Sequence, residues 1–224
     1  MLMGPIWRGS RLEAGSLDVS FLLRGLVIGF SIAAPVGPIG VLCIQRTLTR
    51  GRAAGLISGF GTATADALYG SIAGFGLTLV STVLISWSAW IELVGGVFLC
   101  CLGLKNIIFP RPAERTGLRE ATHVGDYASA FFLTLTNPLT ILSFVGIFAG
   151  LGLAGTGGNY FLAMLLVVGV FSGSVLWWFI LSGAVQLFRG SFDAGRLLWV
   201  NRVSGLIILL FGFVALVSSL GVLR

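Results

Sequence analysis

Long apolar stretches recur along the whole chain and constrain its fold more strongly than any other feature. As an α-helix, a stretch of 18 or more such residues matches a hydrocarbon core about 30 Å thick. Only 10% of the 224 residues are charged, against about a quarter in an average soluble domain. The chain therefore lacks the charge to cover a water-facing surface, and the pattern predicts an all-α membrane protein.

Six apolar spans account for most of the length. They run over residues 22–42, 54–84, 91–109, 128–151, 160–187 and 203–222. The remaining connections are too short for a separate soluble domain. Residues 1–20 lack the apolar core of a cleaved signal peptide, so we predict an N-terminal tail there.

The positive charges indicate the membrane topology. Ten of the 14 Lys and Arg residues lie within the three connections 46–52, 105–126 and 189–202. Because cytoplasmic loops carry an excess of Lys and Arg, we expect these connections inside the cell and both termini outside. The net charge of +6 then has an explanation that needs no nucleic acid as a partner.

The two halves of the chain look related. Pro35–Pro38 interrupts the first span and Asn137–Pro138 the fourth, and glycine-rich segments at 59–64 and 169–174 correspond in the second and fifth spans. Because each half has three spans, the second half must enter the membrane the opposite way round, as in the inverted-topology repeats of secondary transporters. The predicted division is a first three-helix repeat at 21–110, a charged cytoplasmic connection at 111–126 and a second three-helix repeat at 127–224.

The interrupted spans form the first candidate site. Proline lacks a backbone N–H and clashes with the carbonyl four residues back, so Pro35 and Pro38, around Gly37, should open about one helical turn. Pro138 should do the same in the fourth span, beside the Asn137 amide. Irregular backbone at membrane depth is tolerated where protein or a water-filled cavity satisfies it, and half-helix ends can hold carboxylates or cations. The structural alternative is a kink that serves packing alone.

Asp66 is the second candidate. It is the only acidic residue near the centre of a predicted span, where an ionised carboxylate is costly. It should therefore face the bundle interior and either pair with a cation or hold a proton. Thr62 and Tyr69 share its face by helical spacing. The structural alternative is a protonated Asp that bonds to a neighbouring hydroxyl for packing.

No motif for catalysis, metal binding or cofactor binding stands out. The sole histidine, His123, lies in the charged connection, and the cysteines Cys43, Cys100 and Cys101 lie in apolar stretches where they suit packing. The Walker, GxSxG and HExxH patterns are absent. We therefore expect neither an enzyme nor a bound cofactor or metal.

Four segments together carry a family resemblance. They are Gly29-Phe-Ser-Ile-Ala-Ala-Pro-Val-Gly-Pro38, the basic turn Arg50-Gly-Arg-Ala-Ala-Gly55, the segment from Gly59 to Asp66, and Thr136-Asn-Pro138. With them the sequence resembles the lysine exporter (LysE/RhtB-type) family of bacterial amino-acid exporters over nearly the whole chain after residue 20. Family members typically show a Pro-Gly-Pro triplet, whereas here Val36 separates Pro35 from Gly37, which leaves the substrate open.

The resemblance implies a multi-pass exporter in the lipid of the bacterial inner membrane. It implies a small amino acid or derivative as substrate, exchanged against protons or sodium, and it allows a homodimer. Carried over to this chain, the Pro35–Pro38 break, Asp66 and Asn137–Pro138 would frame a central substrate- and ion-binding site. Helical spacing adds Thr62 and Tyr69 to that site.

Three other functions remain open from the sequence. A metal or other cation exporter of a related six-span family is one, although the spans hold few His, Asp or Glu residues. A membrane disulfide carrier is another, although Cys43 of the first span has no counterpart in the fourth. The third is a structural membrane subunit, for which paired helix breaks and a central Asp are poor choices.

Overall fold

The chain folds into α-helices. The computed structural model describes residues 6–35, 37–75, 86–109, 123–137, 139–144, 159–190 and 194–222. Its seven longer helices are α1 (Ile6–Ala33), α2 (Pro38–Arg50), α3 (Arg52–Gly74), α4 (Ser88–Ile108), α5 (His123–Leu135), α6 (Tyr160–Arg189) and α7 (Ala194–Val222). A short helical segment covers 139–144. No strand occurs in these ranges, in agreement with the predicted all-α class.

Several helices are long and apolar enough to cross a membrane. They are Ala89–Ile108, Tyr160–Arg189 and Leu198–Leu220, and the bent pair Val19–Ala33 and Pro38–Arg50 would make a fourth. The predicted spans 54–84 and 128–151 run into residues 76–84 and 145–151, which lie outside the described residues. The count of six spans therefore stays a prediction. The predicted tail at 1–20 is helical from Ile6 onward, as the first part of α1.

The outer surface of the bundle is apolar. On α7 the side chains of Leu206, Leu210, Phe213 and Val217 recur at helical spacing and are all exposed. Patches of this kind are rare on soluble monomers, and lipid tails would cover them at no cost. The interior holds the polar residues instead, which is the polarity expected of a membrane protein.

The first predicted break separates α1 from α2. Helix α1 ends at Ala33, and α2 begins at Pro38 with Gly37 as its extended N-cap. Pro38 is tolerated at the first position of a helix because the N–H that it lacks would have no partner there. The two axes meet at 80°, so the break redirects the chain rather than merely kinking it.

The second break follows α5. The Asn137 side chain accepts a hydrogen bond from the Leu139 N–H (3.2 Å), and the Asn137 carbonyl accepts from Thr140 and Ile141. Asn137 therefore caps the segment 139–144, as short polar side chains do at helix starts. Pro138 lies outside the described residues.

Close glycine contacts hold the helices together. Helix α1 runs parallel to α6, with Gly25 against Gly169 and Gly29 against Val170. Helix α3 lies between α5 and α6, and α4 packs antiparallel to α7. Small residues at such crossings let backbones approach, which is how helices associate in lipid.

The helix ends correct the predicted connections. Arg46 and Arg50 were assigned to a connection but lie within α2, and only Gly51 separates α2 from α3. Lys105 likewise lies within α4, and Asp126 within α5. The assignment failed because charges mark where a helix leaves the apolar layer, and a helix can continue beyond that point.

Candidate functional site

A small cavity lies at the α1–α2 break. Its volume is about 40 Å³, room for a few water-sized groups, and three of the predicted residues of the first break line it, namely Pro35, Gly37 and Pro38. Thr62 and Asp66 of α3 line the opposite side. Five of the eight predicted site residues therefore meet at one place, which we call the central cavity.

Among the described residues that line the central cavity, Asp66 is the one acidic residue. Its side chain is 1% exposed, and the Ser174 hydroxyl of α6 donates to its Oδ2 atom at 2.7 Å. Trp178 Nε1–H in turn donates to Ser174 Oγ at 3.2 Å. Within the described part of the chain, the ion pairs involve Asp126 and not Asp66. A hydroxyl, and not a cation, is thus the partner of this carboxylate.

Small residues on α3 bring Asp66 to α6. A Cβ atom at Gly59 would lie 2.4 Å from Trp178 Cβ, so only glycine permits this approach. Gly70 faces Val170 further along the same contact. One face of α3 therefore carries the close-contact glycines Gly59 and Gly70 and, between them, the buried polar residues Thr62 and Asp66.

Tyr69 and Asn137 are not among the residues that line the cavity. Tyr69 is buried, and its hydroxyl donates to the Leu135 carbonyl at 2.6 Å. In a continuous helix that carbonyl would accept from residue 139, but the Leu139 N–H bonds to the Asn137 side chain instead. Tyr69 and Asn137 thus stabilise the second break, and the placement of Pro138 is outside the described residues.

Four residues around the cavity are not among the predicted site residues. Ser174 and Trp178 of α6 make the hydrogen-bond chain to Asp66, and Thr134 and Thr140 line the cavity from either side of the second break. The threonines flank Asn137 in the sequence, which was a usable signal. Ser174 was not recognisable, because nothing in a sequence tells which serine of another helix faces an aspartate.

The cysteines offer no paired thiols. Cys43 is fully buried between apolar side chains, and Cys100 and Cys101 lie next to each other on α4. Over the ranges that the structure describes, no three His, Cys, Asp or Glu side chains cluster as metal ligands. His123 is exposed at the start of α5.

Comparison with known proteins assigns the family. The sequence model of the LysE type translocators matches residues 30–219. "Putative amino acid efflux protein YcgF" of Bacillus subtilis (strain 168) is 31% identical over 201 residues, 87% of this chain and 94% of that protein. "Uncharacterized membrane protein YahN" of Escherichia coli (strain K12) is 28% identical over 172 residues, 75% of this chain and 76% of that protein. No solved structure matches. The chain belongs to the LysE type translocator family and is a membrane transporter, not an enzyme.

Proposed function

We propose that this transporter exports a small zwitterionic or cationic amino acid, or a derivative, across the bacterial inner membrane in exchange for protons. The proposal is based on the buried Asp66 carboxylate. It accepts a hydrogen bond from the Ser174 hydroxyl and lines the central cavity at the break between α1 and α2. The family match and the efflux protein of B. subtilis support amino-acid export.

The cavity offers a partner for each end of such a substrate. The Asp66 carboxylate suits an ammonium group. The N–H groups in the first turn of a helix lack intrahelical acceptors and attract anions, and Ile39 and Gly40 in the first turn of α2 line the cavity. The substrate carboxylate would bind at this helix end, while its ammonium group approaches Asp66.

Asp66 would also carry the coupling proton. A buried carboxylate without a cation costs less when it holds a proton. Substrate ammonium and proton would therefore compete for one carboxylate, so that the binding of either one releases the other. Such competition is sufficient for exchange, because each turn of the transporter then carries substrate out or a proton in.

Helix contacts support the inverted repeat. In the predicted halves, α1, α3 and α4 correspond to α5, α6 and α7. When each helix is replaced by its counterpart in the other half, the α1–α6 contact becomes the α3–α5 contact, which the structure also contains. The α3–α6 and α4–α7 contacts are each converted into themselves. We propose, on this basis, six spans in two inverted repeats at 21–110 and 127–224, joined by a cytoplasmic connection at 111–126.

The first experiment identifies the substrate. A bacterial strain that lacks its own amino-acid exporters is loaded with each of the twenty radiolabelled protein amino acids, and efflux is followed with and without the protein. We expect accelerated efflux of at least one. Acceleration of none would contradict the proposed function.

Asp66→Asn tests the coupling role. The Ser174 hydroxyl can still donate to the Asn side-chain oxygen, so we expect normal folding, checked by elution of the purified protein as a single species. In proteoliposomes, export driven by an imposed pH gradient should fall about tenfold or more, because the amide cannot carry a proton. Exchange of labelled for unlabelled amino acid should persist with a raised KM, because the amide oxygen can still accept a hydrogen bond from the substrate ammonium group but no longer carries a charge.

Glu92→Gln is the matched control, since Glu92 lies on α4 and does not line the central cavity; it should retain gradient-driven export. Full gradient-driven export by Asp66→Asn would disprove the coupling role. Export driven by a sodium gradient instead would assign sodium as the coupling ion. The homodimer rests on the family resemblance alone, and crosslinking in native membranes checks it.

A further inference from the structure

A second and larger cavity lies where the basic helix ends meet. Its volume is about 300 Å³, and residues from α2, α4, α5 and α7 line it. Lys105 and Phe109 belong to the lining and are exposed, so the cavity reaches the protein surface. The positive-charge rule places this end in the cytoplasm. We call this cavity the vestibule; of the predicted site residues that the structure describes, none lines it.

The vestibule carries an excess of positive charge. In the part of its lining that the structure describes, Arg46, Arg50 and Lys105 face a single carboxylate, Asp126. Asp126 is 4% exposed, and its Oδ1 atom lies 3.5 Å from Arg46 Nε and 2.5 Å from Arg50 Nη2. Asp126 is shared by the two arginines, and Lys105 adds a further cation to the described lining. A cleft of one sign with low-dielectric walls concentrates ligands of the opposite sign.

The two arginines have different surroundings. Arg46 is buried, and it donates to the hydroxyls of Ser58 and Ser129 and to the Asp126 carbonyl. It therefore belongs to the framework that joins α2, α3 and α5. Arg50 is half-buried and donates to Asp126, while a guanidinium offers five N–H donors in a planar fork. Arg50 can therefore hold Asp126 and a second carboxylate together.

Three side-chain amides also line the vestibule. Asn106 donates to Gln45 Oε1 at 2.9 Å, and Gln45 donates to Asn201 Oδ1 at 2.6 Å. This chain connects α4, α2 and α7 and holds polar groups beside the cations without adding charge. A site with fixed amides and surplus cations is suited to a small polar molecule that bears a carboxylate.

The vestibule and the central cavity lie at successive positions along α2. Pro38, Ile39 and Gly40 line the central cavity, whereas Gln45, Arg46 and Thr49 line the vestibule. A buried apolar cluster borders both cavities, because its members Ile39 and Trp178 line the central cavity and its member Leu42 lines the vestibule. We call five members of this cluster the apolar layer, namely Leu42, Cys43, Leu99, Leu133 and Ile208. A solute that enters from the cytoplasm would reach the vestibule first.

We propose that the vestibule is a loading site in which Arg50 and Lys105 bind the carboxylate of the exported solute. This inference rests on the proposed function and adds a substrate requirement to it: the solute carries a free carboxylate when it enters from the cytoplasm. Its residues, Arg50 and Lys105, are distinct from those that hold the substrate in the central cavity.

The test measures the two faces of the membrane separately. The probe is the radiolabelled amino acid that the efflux panel shows to be exported fastest. Its uptake into inside-out vesicles reports the cytoplasmic face, and its uptake into right-side-out vesicles reports the outer face.

Arg50→Gln and Lys105→Gln should each raise the cytoplasmic KM about tenfold, as loss of a charge-assisted hydrogen bond predicts. The maximal rate and the outer-face KM should change less than twofold. Arg202→Gln, an exposed arginine of α7 outside the lining, should leave both KM values unchanged.

A double variant separates binding from a structural role. If Arg50 served only to neutralise Asp126, the combination Arg50→Gln with Asp126→Asn would restore the wild-type KM. The loading site predicts that the KM stays raised in the double variant. The loading site would be overturned if the double variant regained the wild-type KM, or if Arg50→Gln left the KM unchanged. In either case, export by the wild type would still uphold the proposed function. Absence of export by the wild type would overturn both.

Discussion

At the residue scale, Asp66 and Arg46 show two ways to keep an ionisable side chain inside this bundle. Arg46 is surrounded by two hydroxyls, a backbone carbonyl and the Asp126 carboxylate. Asp66 has the Ser174 hydroxyl and no ion pair among the described residues. A fully compensated charge belongs to a fixed framework, whereas a carboxylate with one neutral donor remains available for a proton or an ammonium group.

Tyr69 has a structural role that can be tested at the same scale. Its hydroxyl satisfies the Leu135 carbonyl at the second break. Loss of a partner for a buried polar group costs about 1–3 kcal/mol, so Tyr69→Phe should lower the melting temperature of the purified protein in detergent by about 5 °C. Tyr127→Phe is the control, because its hydroxyl bonds only to the half-buried Thr64 hydroxyl. Equal shifts in the two variants would contradict this role.

Single residues were only partly predictable from the sequence. The burial of Asp66 follows from the apolar and small residues that surround it along α3 and from the cost of charge in lipid. The burial of Asp126 does not, because it depends on two arginines that lie about 80 residues earlier. The sequence around a residue indicates whether its helix lies in an apolar environment. It does not indicate which side chain from a distant part of the chain contacts that residue.

At the element scale, the α4–α7 contact is built on glycines with a common spacing. Gly96 and Gly103 on α4 lie seven residues apart, as do Gly205 and Gly212 on α7, and Gly96 faces Gly212 while Gly103 faces Gly205. If α4 and α7 exchange places in such an antiparallel pair, the same glycine–glycine contacts are obtained. The helix breaks were predictable from proline chemistry, whereas this pairing required the fold, because each glycine alone fits many helix contacts.

Gly103→Ala tests the tightness of this contact. A Cβ atom there would lie 2.7 Å from the Gly205 carbonyl oxygen and from Leu209 N. Both are backbone atoms, so the helices must separate, at a cost of about 1–3 kcal/mol. We expect a melting temperature several degrees below wild type. Gly183→Ala is the control, because its nearest neighbour, an Arg52 side-chain atom, lies at 3.9 Å. Because Ala is a better helix former than Gly, Gly183→Ala should leave the melting temperature unchanged or raise it. An equal decrease in both variants would contradict the tight contact at Gly103.

At the scale of the whole molecule, the proposed function and loading site would make this a transporter whose cytoplasmic path is closed. The vestibule reaches the surface at Lys105 and Phe109, and the apolar layer borders both cavities. Export requires this layer to open and close again. Helix α2 links the two cavities, because its first turn lines the central cavity and its C-terminal half carries the vestibule arginines.

Cys43 reports directly on the apolar layer. Its side chain is 0% exposed, and replacement of Cys100 and Cys101 by serine leaves it as the only one of three cysteines. A membrane-impermeant maleimide added to inside-out vesicles should react with it slowly, because the thiol lies behind closed apolar packing. Addition of the exported amino acid should raise the labelling rate several-fold as the layer opens during turnover.

The control is Phe109→Cys in a protein whose Cys43, Cys100 and Cys101 are all replaced by serine. Its thiol lines the open vestibule and should react quickly with or without the amino acid. If Cys43 labelling stays unchanged while the amino acid is exported, the path does not pass through the apolar layer, and the vestibule and central cavity are not successive stations on it.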